Sequence, residues 1–78
     1  MIKIKDNVDL KELEKYGYKF GEWGLMGKCY LKELEYIDAV YITEDGKIIF
    51  DFEDVIDMET CINKALYDLI KADLVVKE

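Results

Sequence analysis

Tyr36–Phe52, YIDAVYITEDGKIIFDF, decides the fold. Two runs of alternating apolar character flank Asp45-Gly46, a dipeptide that favours the positive φ angles of a tight hairpin turn. A two-residue type I′ loop would set Glu44 opposite Lys47 and pair Thr43 with Ile48, Ile42 with Ile49, Tyr41 with Phe50 and Ala39 with Phe52. Side chains alternate between faces. One face then carries Ile37, Ala39, Tyr41, Ile48, Phe50 and Phe52, and lacking carboxylates it is the expected core face. The other carries Tyr36, Asp38, Val40, Ile42, Ile49, Asp51 and Glu53. A loop of another length would slip the register and exchange faces.

Upstream, Lys28–Lys32 is a strand and Lys32–Glu35 a turn with Leu34 tucked in, although its Lys, Glu and Leu residues also suit a helix. Gly21, Gly24 and Gly27 interrupt regular structure, so residues 21–27 read as a mobile loop holding Trp23, Leu25 and Met26. Tyr18-Lys19-Phe20 suits a brief strand. A short helix from Leu10 to Tyr16 is expected, with Asp9 as N-cap, Glu12 completing a capping box, Val8 and Leu13 as a staple and Gly17 as the stop. Ile2 and Ile4 alternate with Lys3 and Lys5, as in an edge strand.

Downstream, Asp57 or Thr60 caps a final helix whose stripe is Ile62, Ala65, Leu66, Leu69 and Ile70, with Leu66 and Leu69 at its centre. Leu74-Val75-Val76 ends that helix or forms an extended segment, and the β-branched valines favour the latter. The expected fold class is α+β: a small antiparallel β-meander of three to four strands packed against a C-terminal helix, with a short N-terminal helix.

Seventy-eight residues make one domain, residues 1–78. A chain this short buries roughly 60–65% of its unfolded surface, so each large side chain counts. The 51% hydrophobic content argues for folding and against disorder. No apolar run approaches a membrane span, and no signal-peptide core follows the first residues, which points to a cytoplasmic protein. Cys29 and Cys61 have no metal or redox spacing and are expected to be reduced, packed thiols.

The chain has no His, Pro, Ser, Arg or Gln. That removes the commonest general base, every Ser-His or Cys-His pair and the usual zinc and iron ligand sets. It also removes the bidentate reader of phosphate and guanine. No enzyme activity and no cofactor are expected.

Both ends of the chain, IKIKDNVDLKELEKYGYK (residues 2–19) and LYDLIKADLVVKE (residues 66–78), resemble short proteins of unassigned function from Gram-positive bacteria and their prophages. The shared features are a capped helix and an apolar helix face, so the resemblance implies a phage or mobile-element context and carries no active site.

Between Glu44 and Glu59 lie seven carboxylates against Lys47 alone, which is six of the chain's seven net negative charges. Charge so uneven suits docking of a basic partner protein or mimicry of nucleic-acid phosphate, or is the solvated acidic start of a helix. The partner-binding candidates are Asp51, Glu53, Asp54 and Asp57, with Trp23 as an apolar anchor from its loop or as a residue folded into the core edge. The same four acids could offer oxygen to calcium, but the order of an EF-hand loop is missing, and no metal site is assigned. An alternative is nucleic-acid binding by the Lys/aromatic segment 15–32, which the net charge of −7 opposes. A second alternative is a homodimer through the uncovered sheet face, read here as Tyr36, Val40, Ile42 and Ile49.

Overall fold

The computed structural model describes residues 2–34, 38–52 and 57–77. Six strands occur among them: β1 (Ile2–Ile4), β2 (Lys19–Glu22), β3 (Lys28–Glu33), β4 (Ala39–Thr43), β5 (Ile48–Asp51) and β6 (Val75–Lys77). β2–β5 form an antiparallel four-stranded meander, and β1 pairs with β6 in a separate antiparallel ribbon. The expected α+β class, with a meander and C-terminal helical cover, is the observed one. Ile2 and Ile4 do form a strand, but its partner is the end of the chain; the fourth strand of the meander is β2.

The hairpin register differs from the expected one. Ile42 pairs with Ile48, Tyr41 with Ile49, Val40 with Phe50 and Ala39 with Asp51. The loop is Glu44-Asp45-Gly46: Thr43 N–H donates to the Lys47 carbonyl and Gly46 N–H to the Thr43 carbonyl, each at 2.9 Å. Gly46 ends the turn with φ +86°, the left-handed residue of a three-residue loop with a bulge. The Thr43 side chain supports it, accepting from Lys47 N–H at 3.1 Å and donating to the Asp45 carboxylate. The expected Glu44–Lys47 cross-strand pair is therefore not made.

One extra loop residue inverts one strand relative to the other. Val40 and Ile42 now share a face with Ile48 and Phe50. Val40 and Ile42 are fully buried and Ile48 nearly so, whereas Tyr41, expected inside, lies on the opposite face. The gain is physical: two β-branched aliphatics enter the core in place of an alanine and a tyrosine. Tertiary contact locks the turn, since Ile4 N–H donates to the Gly46 carbonyl at 2.9 Å.

The core joins Ile4, Leu13, Tyr18, Tyr30, Val40, Ile42, Ile48, Leu66 and Leu69. The segment Leu10–Tyr16 is helical as expected, but as a 3-10 helix, whose tighter turn suits a short piece. Asp9 caps it by accepting from Lys11 N–H at 3.0 Å, and Gly17 stops it at φ +91°. Glu12 does not close a capping box; its carboxylate pairs with Lys15 at 2.8 Å.

Asp57 caps the C-terminal helical segment, accepting from Thr60 N–H at 3.3 Å and from its hydroxyl at 2.8 Å. That segment is two helices, α1 (Met58–Ala65) and α2 (Tyr67–Lys71), offset at Leu66. Leu66 and Leu69 are buried as expected, but the offset turns Ile70 outward to 41% exposure. Asp73, at φ +61°, then reverses the chain, with Leu74 N–H donating to the Leu69 carbonyl at 3.0 Å, and delivers Val75–Lys77 to β1. The Asp73 carboxylate meets Lys5 at 2.8 Å across that reversal.

Candidate protein-docking face

The register defines the second face of the meander. Gly21, Cys29 and Thr43 lie in one row across the strands, Lys19, Leu31, Tyr41 and Ile49 in the next, and Glu33, Ala39 and Asp51 in the third. The sheet residues of the main core cluster, Tyr30, Val40, Ile42 and Ile48, point the other way, toward Leu66 and Leu69, while Cys29 and Ala39 are buried on the second face. Among the described residues the helical cover is therefore one-sided. Leu31, Tyr41 and Ile49 keep partial exposure at the centre of the uncovered side.

Trp23 folds onto this face. A Cβ placed on Gly21 would lie 2.9 Å from the indole ring, so the ring occupies the space that a side chain at Gly21 would need. The indole N–H donates to the Cys29 carbonyl at 3.1 Å. Beneath it Cys29 has no exposed surface, and burial pushes its thiol pKa up. The residue 21–27 stretch is ordered in part as strand: Gly21 and Glu22 belong to β2, and Gly24–Met26 form one 3-10 turn. Trp23 N–H donates to the Gly27 carbonyl at 3.0 Å and closes that turn. Leu25 stands fully exposed at its tip. Trp23 is thus a half-buried brace of the face, and Leu25 is the apolar side chain that the loop presents.

The acidic candidates separate. Asp51 is exposed on β5, on the same side of the sheet as Trp23. Asp57 is exposed at the start of α1, where the hydrogen bonds from Thr60 hold its carboxyl below the usual carboxylate range. Glu53 and Asp54 lie outside the described residues, as do Tyr36 and Ile37. Of the patch expected for a homodimer, Ile49 is on the uncovered face, whereas Val40 and Ile42 are core. Leu31, Tyr41 and Lys19 complete the face instead. Their alternation marks them as strand residues, but only the pairing of four strands places them side by side.

The Lys/aromatic segment is largely spent on structure. Tyr18 and Tyr30 are buried, Phe20 lies against Tyr30 with ring centroids 4.9 Å apart, and the Lys32 ammonium sits 5.5 Å from the centre of the Tyr18 ring. Among the described residues no three His, Cys, Asp or Glu side chains gather as a metal site, and no helix is long and apolar enough to cross a membrane.

No protein-family model matches the chain, and no curated protein or solved structure is significantly similar to it.

Proposed function

We propose that this chain is a small non-enzymatic protein-binding domain that docks through the uncovered face of its meander. The observation that carries the reading is the apolar row Leu31–Tyr41–Ile49, partly exposed on the side of the sheet away from the described C-terminal helices. Apolar area of this kind, rimmed by charge, is the usual form of a binding surface. Trp23 braces one end of it and Asp51 stands at its far corner, so the aromatic and one acidic candidate act on one surface. The apolar row supplies affinity, and the charged rim supplies orientation and association rate.

The reading is tested by placing a photo-reactive phenylalanine analogue at Tyr41 and, separately, at Tyr67, which is exposed on α2. Irradiation of cells producing each form should yield protein adducts from position 41 and none from position 67. Adducts from neither position, or equally from both, would overturn it.

A further inference from the structure

We infer that the occupant of the uncovered face is a second copy of this chain, packed face to face about a two-fold axis parallel to the strands. The inference rests on the docking-face reading above and names the partner for it.

The charges of the face are arranged for such a partner. Lys19 sits on β2 at one lateral edge, and Asp51 on β5 at the other. Both are exposed, and neither has an ion-pair partner among the described residues. Three strand spacings separate them, roughly 14 Å at about 4.8 Å per spacing, too far to pair within the chain. A two-fold axis along the strands lays β2 of one copy over β5 of the other, and β3 over β4. Lys19 then faces Ile49 and the neighbouring Asp51 of the other copy, twice by symmetry. Leu31 faces Tyr41, also twice.

The result is an apolar middle row, Leu31–Tyr41–Ile49, closed at both lateral edges by opposite charges, with Glu33, also exposed on this face, one row beyond it. This is the self-complementarity that a closed two-fold interface requires. Sheets packed this way stand about 10 Å apart, a gap that the four-carbon lysine stem helps to span. An unrelated partner would need its own basic and acidic edges at matching separation; a second copy has them by construction.

The experiment is sedimentation equilibrium of the full chain across the micromolar range, with Lys19→Asp and Asp51→Lys variants. Both positions are exposed, so both variants should retain the wild-type circular dichroism and unfolding transition. The wild type is expected at twice the 9.2 kDa chain mass. Each single variant should self-associate about tenfold more weakly, because each swap creates two like-charge contacts. An equimolar mixture of the two, and the double variant, should recover the wild-type affinity. Trp23 emission should shift to the blue on association in each case where the mass doubles.

A wild type that stays monomeric overturns the inference, and so do single variants that dimerise as well as the wild type. A monomeric wild type that still gives position-41 adducts to a different protein overturns the second copy and leaves the docking face standing. The absence of any position-41 adduct overturns the docking reading itself.

Discussion

The indole N–H of Trp23 donates to the main-chain carbonyl of Cys29 at 3.1 Å, and the indole ring covers the glycine that pairs with Cys29 across the strands. That side chain therefore bridges β2 and β3 beside the buried Cys29 and shapes one end of the uncovered sheet face. Gly21 is required for this because any Cβ there meets the ring.

Gly21→Ala should displace the indole without removing it. The observable is Cys29 reactivity, measured by thiol labelling in a Cys61→Ala background. Cys29 should label at the rate of a buried thiol in the otherwise wild-type chain and much faster in Gly21→Ala. Equal rates would mean that something other than Trp23 covers the sulfur.

Tyr18 is 2% exposed, and its hydroxyl has no hydrogen-bond partner among the described residues. A buried, unsatisfied hydroxyl costs about 1–3 kcal/mol. Tyr18→Phe should consequently stabilise the domain, by up to about 1 kcal/mol in urea unfolding. Burial first, and the Asp68 charge second, push the Tyr18 phenol pKa up from its ordinary 10.0. The neutral phenol is thus favoured in the folded state, so this stability is complete below pH 10 and is lost as pH rises beyond it. Tyr18→Phe should show a shallower alkaline loss. Part of the loss should persist, because burial also raises Tyr30.

Gly46 combines φ +86° with a close approach to β1, where an added Cβ would lie 3.3 Å from the Ile4 carbonyl oxygen. Gly46→Ala should cost about 1–2 kcal/mol from the left-handed backbone alone. Deleting Glu44 is a sharper probe. It leaves Asp45-Gly46 as a two-residue loop and forces Val40 and Ile42 out of the core. Loss of the cooperative unfolding transition is expected; retention of it would show that the register does not depend on loop length.

Leu66 joins α1 to α2 and is fully buried against the sheet. Leu66→Ala should destabilise by about 2–5 kcal/mol, as a cavity in a thin core. Domains of this kind have about 5–15 kcal/mol in total, so the midpoint in urea should fall by a large fraction. The neighbouring exposed change Tyr67→Ala should move it little.

Local signals were legible where local chemistry decides the outcome. Asp9 and Asp57 cap because a short carboxylate reaches the free N–H groups of a helix start, and Gly17 stops a helix because it accepts a left-handed backbone. Leu66 and Leu69 were identifiable as core by helical spacing, yet Ile70 in the same stripe is exposed, because the helix is offset at Leu66. Of the candidate site, Trp23 and Asp51 were recognisable by residue type. Lys19, Leu31 and Tyr41 were not, since nothing local says which strands will lie beside them.

By itself the sequence determined the strand segments, the helix caps and the α+β class, because propensity and periodicity act over a few residues. Only the tertiary structure decided which side of each strand is core. Strand periodicity is two, so one additional loop residue inverts a face, and the choice rests on which register buries more aliphatic surface. A contact between distant segments, the Ile4 N–H on the Gly46 carbonyl, holds the turn that sets this register.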